Sequence, residues 1–119
     1  MLTLTSIGQI RLTRGDTLIL PIQINQGDNM CPILYELDTK DEVYFALLEP
    51  NQPWEQAILK KKFGYQDQKD GVIPLTLKPS DTMCLLPGLY YYQVKVRIYQ
   101  DGEYIVNTII PKTHFWIEE

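Results

Sequence analysis

The sequence predicts an all-β protein, an antiparallel β-sandwich of about seven to nine strands. Three observations lead to this fold class. Residues 89–100 alternate between apolar and polar side chains, which is the period of a strand buried on one face. Further short apolar stretches follow one another with turn residues about every 8–12 positions. No stretch keeps an apolar period of 3.6 residues, so helices are not expected to build the core.

The corner before residues 89–100 has its own signature. Pro87 and Gly88 mark its end, and Tyr90 follows directly. A tyrosine at this place is typical of the tyrosine corner of Greek-key sandwiches, where the phenol ties the loop back to the backbone. We therefore predict a structural corner made by Asp81, Leu85, Gly88 and Tyr90.

The remaining strands are predicted in chain order. They cover residues 9–12, 17–24, 43–48, 57–63, 72–77, 103–110 and 114–118, and residues 33–37 are either a short strand or the lead-in to the next one. Pro21 and Pro74 cannot donate to a ladder, so the Pro74 strand is expected at a sheet edge, and the Pro21 strand either lies at an edge or changes sheets there. Asp101-Gly102 predicts a type I′ hairpin, because both turn positions need a positive φ. Residues 1–7 are predicted as an extended arm that could add a strand to a neighbouring molecule.

Length and charge limit the classes of function. The 119 residues form a single domain, residues 1–119, with 11 basic and 15 acidic side chains. The net charge of −4 argues against a nucleic-acid partner. No apolar run approaches the ~20 residues of a membrane helix, and no secretion signal is visible, so no membrane insertion is expected. Cys31 and Cys84 lie in predicted loops, and we expect free thiols in a reducing cytosol, although a bridge between them stays open.

Groups that could carry chemistry are sparse. His114 is the only histidine, and nothing around Cys84 activates a thiol as its nucleophile. One histidine and two separated cysteines do not match a zinc site, and the acidic clusters lack the further ligands of a calcium loop. Arg14-Gly15-Asp16, a tripeptide read by integrins, is interpreted as a tight turn. The sequence thus predicts a protein without catalysis, metal or cofactor.

Aromatic side chains are the main candidates for an interface. The chain has eight Tyr, two Trp and three Phe. Tyr91 and Tyr99 fall on the polar face of their predicted strand, and Trp54 and Tyr65 fall near loops. Exposed aromatic rings can anchor protein interfaces or stack on sugars, and ordinary cross-strand packing is the alternative. With Leu2 and Leu4 of the arm, these residues form the predicted interface set.

A set of short motifs adds a family resemblance. The motifs are Arg14-Gly15-Asp16-Thr17, Val43-Tyr44-Phe45, Asp70-Gly71-Val72-Ile73, Asp81-Thr82, Leu85, Pro87-Gly88-Leu89-Tyr90-Tyr91-Tyr92, Asn107-Thr108-Ile109-Ile110 and Phe115-Trp116-Ile117-Glu118. In this order they resemble small immunoglobulin-like domains of tailed phages and prophages of Firmicutes, and most closely the N-terminal domain of phage baseplate upper proteins. The resemblance implies an immunoglobulin-like sandwich and brings no catalytic residues.

Two functions follow as expectations. The first is a non-enzymatic structural or assembly protein of a phage virion, in the capsid, tail or baseplate, synthesised in the bacterial cytoplasm. Its partners are expected to be other phage structural proteins, and it is expected to form a homo-oligomer in the assembly. The alternative is a module that binds a glycan or protein on the host surface through Trp54 and Tyr65. An enzyme based on Cys84 and His114 is the weakest option.

Overall fold

The computed structural model describes residues 2–4, 8–26, 33–35, 37–69 and 71–119. Nine strands lie in this part of the chain: β1 (Leu2–Leu4), β2 (Ile10–Thr13), β3 (Leu18–Gln26), β4 (Ile33–Tyr35), β5 (Glu42–Leu48), β6 (Leu59–Gly64), β7 (Val72–Leu77), β8 (Gly88–Gln100) and β9 (Glu103–Glu118). A short helix, α1 (Pro79–Thr82), and two 3₁₀ turns, Trp54–Gln56 and Tyr65–Asp67, lie between them.

The strands form two sheets. In the four-stranded sheet β3 pairs with β1, β4 and β7, and the five-stranded sheet has the order β2-β9-β8-β5-β6. Every pairing is antiparallel except that of β2 with β9, which is parallel and joins Ile10 to Phe115. The predicted all-β sandwich is therefore confirmed. The parallel edge pair is the one departure from the antiparallel arrangement.

The core lies between the two sheets and follows the predicted alternation. The buried side chains of β8 are Tyr90, Tyr92, Val94, Val96 and Ile98. Three rings meet at its centre: Phe45 stacks against Tyr92 at 5.9 Å, and Phe115 packs edge-on to Tyr92 at 6.0 Å. Burying a large apolar side chain contributes roughly 1.5–3 kcal/mol, so this trio is a major source of stability.

The β8–β9 hairpin has the predicted turn. Asp101 and Gly102 have φ values of 53° and 81°, as a type I′ turn requires. Beyond it, β9 is one continuous strand, whereas the sequence predicted separate strands at 103–110 and 114–118. The ladder changes register between Tyr92 and Val94 of β8. Pro111 of β9 lies within this bulge and has no N–H to donate to β8. Because a bulge leaves a residue unpaired, β9 continues through Pro111 without interruption.

The two strand prolines face each other. Pro21 of β3 is opposite Pro74 of β7 in an antiparallel register. Neither nitrogen can donate, so this must be a non-hydrogen-bonded pair, with both nitrogens directed away from the partner strand. The Pro74 carbonyl also points outward, and the Thr76 hydroxyl donates to it at 3.0 Å. The outer side of β7 has no strand partner among the described residues, in agreement with the edge position predicted for Pro74.

The N-terminal segment differs from the predicted arm. Leu2–Leu4 form β1 and pair with Ile24–Gln26 of the same chain. A strand that already pairs with β3 is not a free arm, so the predicted extension towards a neighbour is corrected for these residues. The side chains of Leu2 and Leu4 lie outside the described part of the structure, as do residues 1 and 5–7.

Candidate interaction surface

The corner before β8 is built around α1. The Asp81 carboxylate accepts a 2.7 Å hydrogen bond from the Lys78 N–H. It also forms an ion pair with Lys61, in which Nζ lies 2.8 Å from Oδ2. Burial alone would raise the pKa of the Asp81 carboxyl, but these hydrogen bonds and the Lys61 charge outweigh it and hold the pKa below its ordinary value. The Tyr90 hydroxyl donates a 2.6 Å bond to Leu86 O, which is the geometry of a tyrosine corner.

The same corner is fastened to the turn between β2 and β3. Buried Thr82 accepts a 3.0 Å hydrogen bond from the Gly15 N–H. Gly15 has a φ of 87°, and a Cβ there would come within 2.9 Å of Met83 Cε. Leu85 packs against the core, and Gly88 has a φ of 152°, which side chains rarely adopt. The Arg14-Gly15-Asp16 segment is thus a packed turn against the corner.

The outer face of the five-stranded sheet, turned away from the core, carries a series of half-exposed aromatic and cationic side chains. At the end near β2, the Tyr91 ring lies 5.2 Å from His114, and His114 lies 6.3 Å from Trp116. The Arg11 guanidinium covers Trp116 at 5.1 Å and pairs with Glu118 at 2.9 Å. We call Tyr91, His114, Trp116 and Arg11 the Tyr91 cluster.

The middle of the outer face is covered by Trp54. The 3₁₀ turn Trp54–Gln56 places its indole ring 4.5 Å from Lys95 Nζ and 5.6 Å from Lys60 Nζ. Ala46 lies between the two lysine-bearing strands and has no exposed surface, although its position is on the outer face. The Trp54 ring is therefore half-buried against the outer face of the sheet. It is less accessible to a ligand than a residue in an exposed loop would be.

At the far end of the face Arg97 organises a polar cluster. Its guanidinium pairs with Glu42 and lies 4.3 Å from the Tyr104 ring. Glu42 also accepts a 3.0 Å bond from the Tyr44 hydroxyl and pairs with Lys62 at 3.3 Å. Burial acts to raise the pKa of Glu42, but these partners outweigh it and lower the pKa below its ordinary value. Arg97, Glu42, Tyr44 and Lys62 form the Arg97 cluster.

A groove of about 350 Å³ adjoins the Arg97 cluster. Exposed Tyr65 and Tyr104 line it, together with Glu42, Lys62 and Asp67. Tyr99 packs edge-on against Tyr104 at 5.0 Å, and Lys40 Nζ lies 4.2 Å from the Tyr99 ring. Tyr65 and Tyr99 are therefore exposed at this end of the face, while Tyr91 lies at the other end and Trp54 in the middle.

The charge of this face differs from that of the whole chain. Its described cations are Arg11, Lys60, Lys62, Lys95 and Arg97, and its carboxylates are Glu42 and Glu118. The chain as a whole has a net charge of −4. Two N–H donors of the face, Arg97 Nε and Trp116 Nε1, are buried without an acceptor. Leaving a buried donor without an acceptor costs roughly 1–3 kcal/mol. The excess of cations over carboxylates makes the face electropositive, and these two donors add to its hydrogen-bonding capacity.

His114 and Cys84, the two groups considered for catalysis, lie in different surroundings. His114 is held within the Tyr91 cluster, with Gln9 Nε2 3.2 Å from its Nδ1, and Cys84 is a free, exposed thiol after α1. Cys31 lies outside the described residues. Within the described ranges there is no group of three or more metal-ligating His, Cys, Asp or Glu side chains. The same part of the chain has no helix long and apolar enough to cross a membrane.

Reasoning from sequence missed several members of this surface. Trp116, Arg97 and Lys95 were not singled out, although the alternation of β8 and β9 places them on the polar face. Their partners come from other strands, and only the ladder registers bring Arg97 opposite Glu42 and Trp116 opposite Arg11. The class that the fold defines is a two-sheet β-sandwich with an aromatic, cationic outer face. Comparison with protein-family models gives no match, and neither does comparison with curated protein sequences.

Proposed function

We propose that this chain is a non-enzymatic assembly module of a phage virion, which contacts other phage structural proteins through the outer face of its five-stranded sheet. The observation that carries the proposal is the continuous set of aromatic and cationic side chains from Arg11 to Arg97 across that face. Tyr, Trp and Arg are the residue types most enriched at the centres of protein interfaces. The resemblance to phage immunoglobulin-like domains supports the virion setting.

The chemistry of the face favours a partner rich in acceptors. Cations surround the Trp54 and Trp116 rings, and Arg11 keeps more than half of its side chain exposed. A partner surface with carboxylates or backbone carbonyls would complement this charge, and its approach would be favoured electrostatically. The rigid sandwich beneath holds the rings in place before contact, which lowers the entropic cost of binding.

The first test is the protein content of purified phage particles. Particles induced from a lysogen that carries the gene are purified and analysed by quantitative mass spectrometry. We expect the chain at a fixed ratio to the major structural proteins. Particles that lack the chain would contradict the proposal.

The second test addresses the face itself. Tyr91→Ala should lower incorporation into particles at least tenfold, because an aromatic anchor of an interface commonly contributes more than about 1.4 kcal/mol. Ile19→Ala is the matched control, since Ile19 is an exposed apolar residue of β3 in the other sheet. Circular dichroism and thermal unfolding confirm that both variants fold. Equal incorporation of the two variants would exclude the Tyr91 cluster from the interface.

The groove beside the Arg97 cluster favours a second candidate, binding of a host-surface glycan. Its two exposed tyrosines flank carboxylate and ammonium groups, a combination that can stack on a sugar ring and bond its hydroxyls. A glycan array with the wild-type chain and with Tyr65→Ala tests this candidate. Binding that Tyr65→Ala abolishes supports it, and a wild-type chain that binds no glycan ends it.

A further inference from the structure

The tip of the β8–β9 hairpin extends beyond its neighbouring strands. β5 pairs with β8 only as far as Glu42 opposite Arg97, and β2 pairs with β9 only from Phe115 onwards. Between these limits no strand is paired with the outer edge of β9 among the described residues, and β1 lies close to β9 without pairing with it. Three apolar side chains of this edge are exposed: Tyr104 at 51%, Ile105 at 41% and Val106 at 58%.

The ladder shows which backbone groups of this edge are free to pair. Gln100 and Glu103 flank the two-residue turn and form a hydrogen-bonded pair, so Tyr99 opposite Tyr104 is a non-hydrogen-bonded pair. The Tyr99 N–H supports this alternation, because it points away from β9 and donates to Asp41 at 3.0 Å. By the same alternation Tyr104 and Val106 direct their N–H and C=O groups away from β8, towards the open edge.

We propose that a second copy of this chain pairs antiparallel with this edge, about a twofold axis at Ile105. The inference uses a surface different from the Tyr91 cluster and goes beyond the proposed virion function. Around this axis Ile105 lies opposite the partner's Ile105, and Tyr104 lies opposite the partner's Val106. The outward backbone groups of both copies then meet in hydrogen-bonded pairs, and the two five-stranded sheets become one continuous sheet.

The side chains select both the occupant and the register. With the axis at Ile105, all three exposed apolar residues meet apolar partners, and Glu103 meets the neutral amide of the partner's Asn107. An axis at Val106 would place Ile105 opposite Asn107, and an axis at Tyr104 would place Glu103 opposite Ile105. Aromatic, β-branched cross-strand pairs stabilise sheets by roughly 0.2–1 kcal/mol each, whereas a carboxylate opposite an isoleucine gains nothing comparable. The edge is thus self-complementary in one register, without like charges directly opposed.

A covalent trap tests the pairing, because an interface of one strand edge is expected to be weak. In a non-hydrogen-bonded pair the facing Cα atoms are about 4.5 Å apart, within reach of a disulfide. Ile105→Cys is made in a Cys31→Ser, Cys84→Ser background and oxidised at low protein concentration. Non-reducing electrophoresis then measures the rate of dimer formation. Ile19→Cys in the same background is the control, since Ile19 is 59% exposed and reports random collision.

We expect Ile105→Cys to form dimers at least tenfold faster than Ile19→Cys. Adding Val106→Pro should remove this advantage, because it deletes an outward N–H without removing a bond of the β8–β9 ladder. Circular dichroism checks that this variant folds. Equal rates for Ile105→Cys and Ile19→Cys would overturn the pairing. Faster trapping of Val106→Cys than of Ile105→Cys would overturn the proposed register. Both results leave the particle test of the outer face unaffected.

Discussion

The buried carboxylate of Asp41 accepts a 3.0 Å hydrogen bond from the backbone N–H of Tyr99, which lies 58 residues further along the chain. Its second oxygen accepts a 2.9 Å bond from the Asp38 N–H. Asp41 thereby closes the turn before β5 and continues the β5–β8 contact one step beyond the last paired residues. Asp41 thus ties the base of the exposed hairpin to the turn before β5.

Asp41→Ala should therefore destabilise the protein by about 2–3 kcal/mol, because it removes a buried carboxylate that accepts two part-buried N–H bonds. Urea unfolding monitored by tryptophan fluorescence measures the change. Asp38→Ala, in the same turn but exposed, is the control and should stay within about 0.5 kcal/mol of wild type. Equal stability of Asp41→Ala and Asp38→Ala would show that the carboxylate does not hold the hairpin.

Tyr90→Phe isolates the hydrogen bond of the corner. The ring stays buried and only the bond to Leu86 O is lost, so we expect a loss of about 1 kcal/mol. Tyr99→Phe provides the comparison, because Tyr99 is exposed. Its unfolding midpoint should remain close to that of wild type. If both substitutions leave the midpoint unchanged, the phenol of Tyr90 does not stabilise the corner.

Acid should weaken the fold partly through Asp81. Its pKa in the folded state is lowered from an ordinary value of 3.8, so the ion pair with Lys61 stabilises the protein above that value. This contribution is lost as the pH falls through the lowered pKa. The unfolding free energy of Asp81→Asn should therefore change less than that of wild type between about pH 5 and pH 3. Parallel curves for the two proteins would refute this assignment.

Alkali should act through Tyr92. Burial raises the pKa of its phenol from 10.0 to about 12, and the neutral hydroxyl donates to Gly8 O at 2.9 Å. A folded-state pKa above the unfolded one gives stability that is complete below 10.0 and is lost as the pH rises towards 12. Tyr92→Phe should flatten the stability curve in this window, measured by urea unfolding at successive pH values. If the slope of stability against pH is the same in Tyr92→Phe and wild type, the pKa of the Tyr92 phenol is not raised by burial.

Local patterns predicted the parts of this fold that depend on local rules. The period of two from Tyr90 to Ile98 gave the correct buried face, and Asp101-Gly102 gave the correct turn, because both signals reside in neighbouring residues. The parallel pairing of β2 with β9 has no local signal, since it joins segments about a hundred residues apart. The buried acceptor role of Asp41 has no local signal either, because it depends on the distant Tyr99 N–H.

On the candidate surface too, local signals predicted some features and contacts between distant strands determined the others. Alternation identified Tyr91 and Tyr99 as outward residues, but it could not say that the Trp54 ring would lie beside Lys95 or that Arg97 would pair with Glu42. Those contacts depend on which strands are neighbours and in what register. A period of two determines the face of a side chain and leaves its cross-strand partner open.

The opposed prolines Pro21 and Pro74 have a consequence for higher assemblies. They remove amide hydrogens where another chain would otherwise add on to the four-stranded layer. Addition of a further strand along β7 is thereby disfavoured, and a twofold contact at the hairpin edge occupies that edge in both molecules. Pairing through the hairpin edge should therefore end at a closed pair of two molecules.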